Sequence, residues 1–275
     1  NSLRQFQATK IVKREGVDGT IDTIRKHLNK ISEKNYTNQR DNIFQELRQI
    51  IDKSSGEGDK QEVAEVAEVA EVAGDKQEVA DKFDKVGCAI FSIASGNKFY
   101  SEMYARLYKE LMEEFPIMKT IFNNNLVKFR EIFNTIEYCD SDKDYDKFCA
   151  INKDNEKRRA TAMFYVNLMK LNIISAGEIT RIISDLLAYQ MSKIVEEDNK
   201  HIVDELSEVI FIMVMNTIPC FQENGNGTAA SGEWDAIVDF VRNTAAMKNS
   251  DYPSITSKSI FKYMDIVDDI TRRQN

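Results

Sequence analysis

Residues 175–195 read SAGEITRIISDLLAYQMSKIV. Ser175 and, three residues later, Glu178 make a capping box, in which each side chain closes an open backbone N–H at a helix start. Behind them Ile179, Ile182, Ile183, Leu186 and Leu187 recur at the i, i+3, i+4 spacing that lines up on one helical stripe. A strand would need strict alternation, and none is present. The same period continues in both directions. It predicts helices over about 20–31, 37–53, 81–95, 98–114, 117–137, 155–172, 176–195, 199–218, 232–247 and 255–273. Start signals support several of these: the break at 32–35 after the first, Pro116 opening the fifth, Ser231 before Trp234, and Ser254 or Thr256 before the last. In the fourth, Phe99, Met103, Leu107 and Leu111 fall four apart with Tyr100, Tyr104 and Tyr108 beside them, which reads as core. Ten helices paired as antiparallel hairpins of about 50 residues each give an all-α, HEAT-like α-solenoid of about five pairs, not a globin or a four-helix bundle. Solenoids of this kind are binding platforms.

The 275 residues include 42% hydrophobic and 30% charged side chains, a balance that places the chain among soluble globular proteins. The net charge of −8 speaks against a protein that coats nucleic acid. That charge is concentrated. In 58–80, GDKQEVAEVAEVAEVAGDKQEVA, seven acids and two lysines sum to −5, leaving −3 for the rest, so local basic patches remain possible. Valine at every third position drifts around a helical wheel and suits no strand; the segment reads as a low-complexity insertion rather than an acidic docking arm. The expected organisation is therefore a flexible N-terminal segment over 1–19 and one domain over 20–275 carrying an acidic insertion at 54–80. Cys88, Cys139, Cys149 and Cys220 form no CxxC pair and read as reduced thiols of a cytoplasmic chain. The opening NSLRQFQATK has neither an initiator Met nor a charged-then-apolar leader, and reads as part of something longer. The most apolar run, from Val209 to Met215, is far shorter than a bilayer span and reads as a buried helix.

Several motifs lack the context their chemistry needs. Asp140, Asp142 and Asp144 alternate like calcium-loop acids, but Tyr145 stands where the turn requires Gly and Ile151 where a bidentate Glu belongs. Gly225, Gly227 and Ala230 match a dinucleotide fingerprint without a preceding strand, and read as a surface loop. The sequons at Asn35 and Asn226 matter only in a secretory protein. His27 and His201 are the only histidines, and neither has the second histidine a metal site would want nearby; His27 reads as a solvated or helix-packing residue. No GxSxG and no phosphate loop occurs, so the reading is a non-enzyme with no cofactor and no metal.

Five stretches carry a family resemblance. The first helix exits as Leu28-Asn29-Lys30-Ile31-Ser32 followed by Tyr36; residues 97–111 read NKFYSEMYARLYKEL; and Phe129-Arg130-Glu131-Ile132-Phe133 follows. Lys157-Arg158-Arg159 then leads to Phe164, Leu168, Lys170, Leu171, Ile174 and Ser175, and residues 256–261 read TSKSIF before Asp265-Ile266-Val267-Asp268. Taken in order over about 20–273, these resemble the middle domain of eukaryotic translation initiation factor 4 gamma, which writes L-N-K-L-T-x-x-x-F, EPxFSxxYAxLCxxL, F-R-x-x-L, RRxxGNIxFIGELFKLxxLT and SSRIRFMLQDVLDLR. The resemblance implies a crescent of five HEAT-like repeats that docks a DEAD-box RNA helicase of the factor-4A type, holds its two lobes partly closed and speeds its ATP-coupled cycle in cap-dependent initiation.

It further implies helicase contacts at Leu28, Ile31, Tyr36, Phe261 and Asp265, although Leu28 and Ile31, at i and i+3, are equally placed to face the second helix. Family members bind messenger RNA, for which Lys157, Arg158, Arg159, Arg272 and Arg273 are the candidate phosphate contacts. A cap-binding protein would be reached through regions outside this chain, and the expected state is a monomer with no membrane attachment. An RNA-binding solenoid, or a sister domain of mRNA decay, nuclear cap binding or splicing with another helicase, is the alternative. The sequence departs from the pattern where the family's glycines align with Ala160 and Val166, where the arginine pair sits closer to Phe164, and where Lys258 and Ile260 replace the arginines of SSRIRF.

Overall fold

The computed structural model describes residues 15–52, 74–133, 135–223 and 231–274. Among the described residues every regular element is helical: α1 (Gly16–Lys30), α2 (Tyr36–Asp52), α3 (Gly74–Ser95), α4 (Ser101–Glu114), α5 (Ile117–Glu131), α6 (Tyr145–Lys170), α7 (Ala176–Ile194), α8 (Lys200–Glu223), α9 (Ser231–Ala245) and α10 (Ser257–Gln274). Where the sequence reads as one domain over 20–275, the chain divides into two compact units, Asn1–Ile90 and Phe91–Asn275, with the division inside α3.

In the first unit α1 packs on α2. Ile24, Leu28 and Ile31 from one side and Tyr36, Ile43, Phe44, Leu47 and Ile50 from the other are buried, so the predicted stripes are the core. The turn between them is held by one side chain. Asn35 accepts from the Ser32 N–H through Oδ1 (2.8 Å) and donates through Nδ2 to the Lys30 carbonyl (2.9 Å), closing the end of α1 and leading into α2. His27, read as a solvated or helix-packing residue, lies with Nδ1 2.9 Å from Gln39 Oε1, joining α1 to α2.

In the second unit α4, α6, α8 and α10 each pack on the next, α7 packs on α9, and α8 and α9 pair with α7 and α10 respectively. This contact order is compatible with an α-solenoid. Its core starts in an aromatic cluster. Phe91, Tyr108 and Phe164 meet edge to face, with centroids 5.8, 5.9 and 6.1 Å apart and planes 81–88° apart, the arrangement in which positive ring edges meet negative faces. Phe122 and Tyr165 extend the cluster, and burial pushes the Tyr165 hydroxyl well up.

Four boundaries differ from expectation by five residues or more. α6 begins at Tyr145, ten residues before the predicted 155, because the Asp144 side chain caps it by accepting from the Lys147 N–H (2.9 Å). The aspartates that imitate a calcium loop thus serve a turn and a helix start, with Asp140 Oδ1 accepting from the Asp142 N–H at 3.0 Å. α5 stops at Glu131 rather than 137, and the carbonyls of Ile132 and Thr135 turn to the Arg158 guanidinium, at 2.9 and 3.5 Å. α8 continues through Pro219 to Glu223, past the predicted 218, with the proline, which has no N–H to donate, inside its last turns. α3 begins at Gly74, inside the segment assigned to the insertion; the EVA triplets before it, residues 1–14 and the Gly225–Ala230 loop lie outside the described residues.

Candidate docking face

Helix α10 reads SKSIFKYMDIVDDITRRQ and has two faces of different character. Ser259, Ile260, Tyr263, Ile266, Asp269 and Ile270 are buried, at the spacing of one helical stripe. The opposite stripe, Lys258, Phe261, Met264, Asp265, Asp268 and Arg272, is exposed. Its centre is apolar: Phe261 is 62% and Met264 42% exposed, and as an i, i+3 pair they adjoin on the surface. Large side chains left in water cost about 25 cal/mol for each Å² of apolar area, which covering the face would recover.

The inner face of α10 is fastened by polar groups, which fixes the direction in which the outer face looks. Thr256 caps the helix by accepting from the Ser259 N–H (3.1 Å). Asp204 of α8 accepts from the hydroxyls of Thr256 and, at 2.9 Å, Ser259. Buried Tyr263 donates its hydroxyl to Gln190 Oε1 of α7, and Gln190 Nε2 donates in turn to Ser207 Oγ (2.6 Å) and the Val203 carbonyl (3.0 Å). Burial pushes the Tyr263 hydroxyl up, so it stays a donor. On the rim, Glu208 of α8 meets Lys262 at 3.1 Å and Lys258 at 3.6 Å, and Lys262 Nζ also lies 4.4 Å from the Phe211 ring centroid. Burial opposes the Glu208 charge, but Lys262, Lys258 and Arg159 together hold its carboxyl below the usual range.

The residues singled out in sequence take three different places. Leu28, Ile31 and Tyr36 are 0%, 4% and 8% exposed, so of the two roles open to them the structure shows the one within the α1–α2 core. Phe261 and Asp265 are exposed together on α10. Of the five candidate phosphate contacts, Arg158 and Arg159 turn to a buried carboxylate, whereas Lys157, Arg272 and Arg273 are exposed. Arg158 is 4% exposed, with Nη1 4.0 Å from buried Glu205 of α8, and Arg159 grips that same carboxylate through Nε (3.1 Å) and Nη2. Burial pushes the Glu205 carboxyl up against the pull of both arginines, and pushes the Arg158 guanidinium down. Arg272 and Arg273 pair with Asp269 at 3.6 and 2.7 Å, while Lys157 is exposed. An arginine desolvated against a carboxylate has little to offer a phosphate.

Met264 and Asp268 complete the face and were not named in sequence; the signal was present, since α10 carries apolar residues on both sides of its wheel. Among the described residues no group of three or more His, Cys, Asp or Glu side chains is placed to hold a metal ion. No described helix is long and apolar enough to cross a membrane. No protein-family model matches the chain, and no curated protein matches it significantly.

Proposed function

We propose that the chain is a HEAT-like scaffold of translation initiation that docks a DEAD-box RNA helicase of the factor-4A type and biases the opening and closing of its two lobes. The exposed Phe261–Met264–Asp265 face of α10 carries this reading, because it puts an apolar anchor beside a carboxylate at a position the resemblance reserves for the helicase. The five ordered motifs and the solenoid-compatible stacking support it. Stimulation of the helicase follows if the face binds one lobe arrangement better than the other, since a scaffold shifts an equilibrium only by its differential affinity.

The test is binding and ATPase stimulation with a factor-4A-type helicase and with helicases of mRNA decay and splicing as comparators. Phe261→Asp should weaken binding at least about tenfold, the cost of about 1.4 kcal/mol expected for an interface anchor, with helicity unchanged. Unaltered binding by Phe261→Asp together with Asp265→Lys removes α10 from the interface. Preference for a comparator moves the assignment to a sister domain.

A further inference from the structure

The outer face of α10 sets two carboxylates against its apolar centre. Asp265 follows Met264, and Asp268 lies three residues further on, so both adjoin the exposed Phe261–Met264 pair along one side of the helix. Each acid also has a cation within reach on its own helix. Lys262 stands three residues before Asp265 and Arg272 four residues after Asp268, spacings at which opposite charges pair.

Neither pair forms. Lys262 turns to Glu208 of α8, at 3.1 Å, with its ammonium over the Phe211 ring, and Lys258 turns to the same carboxylate. Arg272 and Arg273 both turn to Asp269, which is buried on the inner stripe. The lysines and arginines of α10 are thus engaged away from its outer centre. Among the described residues Asp265 and Asp268 have neither an ion pair nor a hydrogen-bond partner. Like charges three apart on a helix repel, and nothing in the chain offsets the repulsion here.

The charge of the face limits what can cover it. Phosphate, whether of nucleic acid or of an anionic membrane, is repelled by two carboxylates beside the apolar anchor. A second copy of the chain fits no better. Two α10 faces paired antiparallel about a two-fold axis at Asp265 set that carboxylate against its own copy, and Lys258 against Arg272. A protein surface with an apolar pocket and basic side chains at its lip matches both parts of the pattern.

We propose that the partner of α10 offers an apolar pocket for Phe261 and Met264 rimmed by lysine or arginine, and that Asp265 and Asp268 steer that rim into place. This rests on the helicase-docking role of the face, and adds to it the charge of the surface that the helicase brings. Exposed charges at the edge of an interface act mainly on how fast partners meet, whereas a buried anchor acts on how slowly they part.

The test follows association and dissociation of the full chain with a factor-4A-type helicase between about 50 and 300 mM salt, over which the screening length falls from above about 10 Å to below about 8 Å. Asp265→Asn together with Asp268→Asn should slow association about threefold or more at the lower salt, flatten its salt dependence and leave dissociation within about twofold. Both side chains are exposed and unpaired, so this variant should melt no lower than the wild type, a readout that a structural role would move. Phe261→Ala reports on the face itself and should speed dissociation instead. If the two neutral substitutions leave association and its salt dependence unchanged while Phe261→Ala still weakens the complex, the partner surface is not cationic, and the proposal falls with the docking role intact. A complex that neither Phe261→Ala nor the paired substitution alters takes α10 out of the interface and overturns both.

Discussion

The end of α1 with the start of α2, and the middle of α10, present the same chemistry in sequence: an aliphatic or thioether side chain, an aromatic, and polar neighbours at helical spacing. Leu28, Ile31 and Tyr36 are buried between α1 and α2, whereas Phe261, Met264 and Asp265 lie open on α10. The difference lies in how many apolar stripes each helix has. α1 has a single stripe, and α2 consumes it. α10 has a second, and its inner stripe already meets α8 and α9 through Ile260, Tyr263, Ile266 and Ile270. A helix that satisfies its own core and still carries large apolar residues outside has surface to spend on a partner.

The largest effect that could break the comparison is a charge at each place. Leu28→Asp puts an unpaired carboxylate into a fully buried site and should cost about 4 kcal/mol or more, seen as loss of the first unit's helical circular dichroism. Phe261→Asp, on an exposed face, should change stability by less than about 0.5 kcal/mol. Comparable costs at the two positions would mean that burial does not separate them.

Next in size is Glu205→Gln, which removes the carboxylate that Arg159 grips and Arg158 faces. It should cost about 3 kcal/mol in Trp234-monitored unfolding, because two guanidiniums lose their counter-charge in a dry site. A cost below about 1 kcal/mol would return the arginine pair to the surface role that its sequence suggests.

The stripes were legible because their period is independent of what covers them: Ile179 to Leu187 predicts α7 to within a residue of its observed end. The partner of each stripe was not legible. Leu28 and Phe261 look alike until α2 is seen to cover one and nothing described to cover the other. The Arg158–Glu205 pairing spans 47 positions in sequence, and no local pattern announces it. The early start of α6 at Tyr145 had its signal in Asp144, but the alternating aspartates invite a metal reading first, and the cap shows only once the Lys147 N–H points at the side chain. Sequence periodicity thus reports which face is apolar, and tertiary packing decides whether that apolar face is core or docking surface.

A smaller effect sharpens the α10 side of the comparison. Tyr263→Phe keeps the ring and removes the hydroxyl that Gln190 Oε1 accepts from, leaving a buried acceptor unpaired; it should cost about 1–2 kcal/mol. On α1 the buried residues Ile24, Leu28 and Ile31 have apolar side chains, so truncating one of them reads out buried apolar area instead. If Tyr263→Phe is neutral in stability yet weakens partner binding, the bolt aims α10 and contributes nothing to holding it.

The smallest effect carries a sign that only the α10 seat predicts. Lys262 and Lys258 hold the folded Glu208 carboxyl below its unfolded range, so its contribution is fully present above that range, about pH 4.3 for an ordinary Glu, and is lost as pH falls through the lower folded value. Glu208→Gln should therefore cost about 0.5 kcal/mol at pH 7, modest because Lys258 is half exposed, and the gap between variant and wild type should close as the solution is acidified towards about pH 3. A gap that widens in acid would mean that burial outweighs the lysines at Glu208. The outer stripe of α10 would then be aimed by the hydrogen bonds to the Asp204 carboxylate, the Tyr263 hydroxyl and the Thr256 cap rather than by the lysine pairs at Glu208.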